Sequence, residues 1–195
     1  IENLESLITI NQVRNGMARI ILSRGVGSKG YLYKNNQSTC VIEAFPYKFI
    51  PPKMIQIYLS KFKKIPSDCL PTNFKHNNGL SSVLAKAEAN QNNCFEAILL
   101  NTKNFISDGT SSNIFWLKND TIFTPSEASD ALPGIMQQHL AEFTSYKIIK
   151  NEFKIEDLLT AESAFLTNIN YGILPINYFK NFDTTFSISQ LEPII

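Results

Sequence analysis

The sequence predicts an α+β fold in two parts, a small piece over residues 1–49 and a larger one over 50–195. Three observations carry that expectation. Strand-like and helix-like periodicities alternate irregularly along 195 residues, 44% of the chain is apolar, and Pro46-Tyr47-Lys48-Phe49-Ile50-Pro51-Pro52 stiffens the chain between two patterned regions. A chain of this length and apolar content buries a real core, which excludes disorder. Eighteen basic and seventeen acidic residues nearly cancel, so neither nucleic acid nor an anionic membrane is an expected partner. The apolar runs are too short to cross a bilayer. No charged, then apolar, then small-residue order marks a signal peptide. Cys40, Cys69 and Cys94 are odd in number and in no metal-like spacing, so they read as buried or inert thiols of a cytoplasmic protein.

The elements follow in order. Leu4, Leu7, Ile8 and Ile10 give helical spacing over 2–14, and Asn15-Gly16 marks a turn. The chain opens at Ile1 in mid-pattern and without Met, which suggests a lost N-terminal piece. Met17–Ser23 alternates and reads as a strand, RGVGSKG over 24–30 as a Gly-rich loop, and 39–44 as a second strand. After Lys75, residues Leu80, Val83, Leu84 and Ala87 fall on one helical stripe, read as buried. Strands are expected at 95–101, 113–117 and 121–124, the last two forming a hairpin around Lys118-Asn119-Asp120. A helix opens after Pro133-Gly134 with Met136, Leu140 and Phe143 on one face. A short helix at 156–160 and strands at 164–167 and 173–178 complete the pattern.

Three polar loops interrupt this framework. Asn73-Phe74-Lys75-His76-Asn77-Asn78 precedes a helix, where a lone lysine is most simply a solvated charge. Ser107-Asp108-Gly109-Thr110-Ser111-Ser112-Asn113 runs into IFWL and offers many hydrogen-bonding groups, though such runs are usually plain turns. Leu132-Pro133-Gly134-Ile135-Met136 starts a helix, and its glycine lets an anion approach the free N–H groups. His76 and His139 are too isolated for a metal site, so none is expected. RGVGSKG lacks the ending of a Walker motif. Arg24 reads equally as structural support for that loop or as a substrate contact. Tyr171 reads as a packing residue or a pocket residue.

Taken together, the order lysine–helix–strand–acid-GTSSNIF–hairpin–TP–LPGI–helix–FLTN–P resembles the fold-type IV pyridoxal-phosphate enzymes. These include branched-chain and D-amino-acid aminotransferases and 4-amino-4-deoxychorismate lyase. The resemblance implies a two-domain protein, its N-terminal domain incomplete here and its C-terminal domain a barrel-like sheet with flanking helices. It also implies pyridoxal 5'-phosphate between the domains, and a homodimer. It places Lys75 on the lysine that holds the cofactor covalently and moves the substrate proton, for which burial beside cations would suit an amine. It sets Asp108 opposite the pyridine nitrogen, keeping the ring an electron sink. Thr110, Ser111, Ser112 and Asn113 would line the cofactor's edge and help hold its phosphate. Leu132 would pack on the ring face. Gly134, Ile135 and Met136 would present backbone N–H groups to the phosphate. Lys29, Tyr31 and Asn170 fall on the substrate side.

The sequence departs from the family pattern at several points. Asp108 is one methylene shorter than the usual Glu. Met136 lacks a phosphate-binding hydroxyl, Gln137 stands for an Arg, and Lys29 replaces an arginine fork. The resemblance also implies a preceding stretch that supplies another phosphate-binding arginine and a pocket tyrosine. RGVGSKGY, Lys75-His76, NIFW and GIM lean toward the lyase, which releases pyruvate and 4-aminobenzoate for folate synthesis from its small-molecule substrate. The alternatives are a transaminase of D-amino or branched-chain amino acids, and a degenerate homologue without catalysis.

Overall fold

A computed structural model describes residues 2–26, 37–191 and 194. They fall into two compact units, Ile1–Ile50 and Pro51–Ile195. The first holds helix α1 (Glu2–Ile10) and an antiparallel pair of strands, β1 (Gly16–Ser23) and β2 (Thr39–Pro46), in register from Gly16 opposite Pro46 to Ser23 opposite Thr39. α1 stops short of residue 14 because Gln12 turns into the left-handed region at φ 52°. The Val13 N–H then donates back to the Ile8 carbonyl. The Asn11 amide ties the helix end to the Ala44 carbonyl at 2.8 Å. Ala44 is the buried residue among those described in this unit.

The second unit is built on strands β3 (Ile55–Lys63), β4 (Glu96–Leu100), β5 (Ile106–Gly109), β6 (Asn113–Lys118), β7 (Thr121–Pro125), β8 (Lys147–Asn151), β9 (Ser163–Asn168), β10 (Gly172–Phe179) and β11 (Thr184–Thr185). Helices α2 (Leu80–Gln91), α3 (Ile135–Phe143) and α4 (Ile155–Leu159) join them. The sheet runs β5-β4-β3-β10-β9-β6-β7-β8, with β11 on β10. β3 pairs in parallel with β4 and β10, and β7 with β8; the other pairs are antiparallel. The sheet curls until its ends approach one another. The Ile106 N–H at one end donates to the carbonyl of Phe153, just past β8 at the other, at 2.7 Å. This is the α+β, barrel-like architecture that the sequence implied.

Both faces of the central strands are covered, so NIFWL is buried throughout rather than alternating. Ile114 and Trp116 join a cluster with Ile57, Ile98, Leu166 and Phe179. Phe115 and Leu117 join Ile122, Leu140 and Phe165 on the opposite face, where Phe115 stacks on Phe165 at 5.1 Å between centroids.

Two helical stripes differ from expectation. In α2 the buried residues are Ala85 and Ala89, whereas Leu80 and Val83 are 68% and 64% exposed, and Leu84 and Ala87 are exposed too. Alanine is small enough to let the helix sit close on β3 and β4 against Tyr58, Phe62 and Leu99, and this close packing selects the face. In α3 Leu140 is buried together with Gln137, but Phe143 is exposed. Cys40 and Cys69 are likewise exposed and Cys94 buried, all three as free thiols. Strands β3, β5, β8 and β11 add to those read from the sequence; β5 occupies the first half of the segment read as the Ser107–Asn113 loop.

Candidate active site

The second unit carries a cleft of about 440 Å³ lined by parts of all three polar segments, 72–76 with 78–79, 108–113 and 132–136, and by Lys64 and Thr167–Ile169. Lys75 stands on the entry to α2 and on the cleft wall, exposed rather than buried as its expected role would favour, because the 73–78 segment lies on the rim of the cleft and not beneath it. Its neighbour His76 accepts from the Asn78 N–H through Nδ1 at 3.2 Å, a local turn contact.

Asp108 lies at the floor, 3% exposed on β5. Both of its oxygens accept from the Lys64 ammonium, at 2.8 and 2.6 Å, and Oδ2 also accepts from the Leu132 N–H at 3.2 Å. Burial pushes the Asp108 carboxyl up, the Lys64 ammonium pulls against it, and the nearby Glu96 carboxylate adds to the upward push. Lys64 reaches this position because its N–H extends the β3 pairing to the Leu100 carbonyl. Strand alternation then sends Lys63 the other way, to Asn104 Oδ1 at 2.8 Å.

The hydroxyl run is organised by Glu96 on β4, itself 1% exposed. Its carboxylate accepts from Thr110, from Ser111 at 3.2 Å and from Ser112 at 3.1 Å. The Lys86 ammonium lies 3.8 Å away. The three hydroxyls that the resemblance offers to a phosphate thus donate to a buried carboxylate. Gly109 is required here, because a Cβ would stand 2.2 Å from Ser112 Oγ. Across the cleft, the Asn168 amide donates to the Ser111 carbonyl.

Asn113 opens β6 and reaches over to the third segment. Its amide donates to the Leu132 carbonyl at 2.8 Å, and its Oδ1 occupies the space a Cβ on Gly134 would need, 1.9 Å from that ideal position. The chain therefore enters α3 against Asn113. The first-turn N–H groups of α3, free of any side-chain cap, then form an electropositive end beside Gly134, Ile135 and Met136 on the cleft wall.

Asn170 sits on the exposed turn between β9 and β10, where its N–H donates to Asn168 Oδ1 at 2.8 Å; the cleft is lined as far as Ile169. Tyr171 packs edge-on against Phe95 at 6.2 Å between centroids, and burial pushes its hydroxyl pKa up. Lys29 and Tyr31 lie outside the described residues. Lys64 and Glu96 were missed from the sequence. Glu96 left a signal as a carboxylate inside an otherwise apolar run, whereas Lys64 follows β3, a strand the sequence did not reveal.

An amine, a buried carboxylate and a helix N-terminus around one cleft are the donor set that a phosphorylated pyridine aldehyde requires: a nucleophile, a partner for a cationic ring nitrogen and an anion cradle. Residues 2–179 match the family model described as amino-transferase class IV. A Methanocaldococcus jannaschii protein with the working name branched-chain-amino-acid aminotransferase is 33% identical over 181 residues, covering 89% of this chain and 62% of that protein. The aminodeoxychorismate lyase of Vibrio harveyi is 28% identical over 166 residues, 82% of this chain and 61% of its own. The chain thus spans about three fifths of these relatives' length. The crystal structure of the branched-chain amino acid aminotransferase from Escherichia coli superposes with a TM-score of 0.88 at 24% identity, covering 99% of this chain and 66% of that one, a likeness of fold.

Proposed function

The chain belongs to the class IV amino-transferase family, and from that premise we propose that it holds pyridoxal phosphate on Lys75 and acts as a 4-amino-4-deoxychorismate lyase. Enzymes of this family depend on pyridoxal phosphate, which when bound supplies an electron sink next to the substrate amino group. In this reading the Lys75 amine carries the proton away from the substrate Cα. Asp108 keeps a positive ring nitrogen in place, and the N-terminus of α3 takes the phosphate through backbone N–H groups. Loss of that proton lets the C–O bond between the ring and the enolpyruvyl unit break, so that the unit leaves as its enol, takes up a proton to become pyruvate, and 4-aminobenzoate remains.

The observation that carries the reading is the convergence of Lys75, Asp108 and the start of α3 on one cleft. The Trp116 of NIFW and the Gly134-Ile135-Met136 start lean toward the lyase. The similarity to a branched-chain aminotransferase supports a second reading, amino transfer to a 2-oxo acid. A homodimer is part of the proposal, measurable by sedimentation.

Reduction with borohydride after loading is the direct test. We expect a stable pyridoxyl mass on the Lys75 peptide and none in Lys75→Ala. Release of 4-aminobenzoate against 2-oxo-acid-dependent amino transfer then separates the two readings. A protein that stays colourless with added cofactor and gains no mass would be the degenerate homologue.

A further inference from the structure

We propose that Lys64 is a positioning residue that holds the Asp108 carboxylate ionised and oriented at the cleft floor, so that a ring nitrogen meets an acceptor there and not a hydroxyl. The inference rests on the pyridoxal-phosphate reading and adds to it a residue that reading does not use. Asp108 is 3% exposed, and a carboxylate taken so far from water without a cation takes up a proton instead. As an acid it would offer an O–H, and a ring nitrogen paired with that O–H would lose the positive charge on which the electron sink depends. The Lys64 ammonium removes this alternative by bridging both oxygens at 2.8 and 2.6 Å.

The other groups around Asp108 do not replace it. Glu96 on β4 repels the carboxylate charge. Lys86 stands against Glu96, 3.8 Å from its carboxylate. The Leu132 N–H gives one neutral hydrogen bond at 3.2 Å. Lys75 and His76 lie on the cleft wall, with no contact to Asp108 among the described hydrogen bonds. The carboxylate has about four lone-pair sites. Lys64 and Leu132 account for three contacts, which leaves room for a ring N–H.

The test is binding of 4'-deoxypyridoxine 5'-phosphate, which has the ring and phosphate but no aldehyde and so does not depend on a bond to Lys75. Calorimetry between about pH 6 and pH 9 compares the wild type with Lys64→Met and Lys64→Arg, each first checked for native Trp116 emission. In Lys64→Met, Asp108 must give up a proton before it can accept from the ring. Its affinity should therefore fall about tenfold or more relative to wild type, most at the acid end, with the gap narrowing as pH rises. Lys64→Arg should recover most of the loss. In an Asp108→Asn background, Lys64→Met should change the affinity little. Equal or tighter binding by Lys64→Met across the range overturns the inference while leaving the cofactor reading intact. A wild type that neither binds this probe nor forms the Lys75 adduct removes both.

Discussion

Glu96 shows how one side chain sets the shape of a loop. Three consecutive hydroxyls, Thr110, Ser111 and Ser112, donate to its carboxylate, and the N–H of Ala97 adds a fourth donor at 3.0 Å. Without that acceptor the buried Ser112 hydroxyl would lose its partner and the Ala97 N–H its acceptor, while Thr110 and Ser111 would turn to water. Glu96→Ala should cost about 3 kcal/mol in urea unfolding, whereas Glu96→Gln, which keeps one carbonyl oxygen but loses the attraction to Lys86, should cost about 1–2 kcal/mol. Equal midpoints for Glu96→Ala and wild type would show that the loop keeps its shape without the carboxylate. The contrast with Lys75 is one of legibility. Lys75 and Asp108 were singled out because the order of motifs around them resembles a known family, while Glu96 and Lys64 lie inside or at the end of strands, where only the fold shows which way they face.

The start of α3 depends on the strand beside it. Gly134 leaves the space that the Asn113 side chain fills, and Asn113 in turn holds the Leu132 carbonyl. Gly134→Ala forces Asn113 out of that space and breaks the hydrogen bond. We expect a loss of about 1–3 kcal/mol in thermal unfolding, with weaker cofactor binding as the helix end shifts. Combining it with Asn113→Ala should recover part of the stability, since the collision is gone; a purely additive double variant would contradict this coupling. Periodicity found α2 and α3 as helices but misjudged which face of α2 is buried and carried the α3 face one residue too far, to the exposed Phe143. It ranks Leu80 and Val83 above alanine by hydrophobicity, yet the closeness of α2 to β3 and β4 admits Ala85 and Ala89. Likewise β5 was hidden because ISDG is half polar, and it becomes a buried strand only when Asp108 finds Lys64 and the curled sheet supplies Phe153 as partner to Ile106.

At the scale of the molecule, the strand pairings and core clusters described for Pro51–Ile195 close within that unit. Every described residue lining the cleft belongs to it as well. In the first unit, Ile20 and Leu22 remain 61% and 72% exposed on a two-stranded sheet, and a lone two-stranded ribbon is marginal in water. The second unit should therefore supply the cooperative stability. The chain's single tryptophan, Trp116, is 1% exposed in the main cluster, packed edge-on against Phe153 at 5.0 Å between centroids, and so reports on that unit. A fragment of residues 51–195 should show the same blue-shifted emission as the whole chain and melt within a few degrees of it, about the shift that a change of 1 kcal/mol produces. Red-shifted emission or a broad, non-cooperative melt in the fragment would mean that residues 1–50 complete the core, and that the curled sheet does not fold by its own contacts.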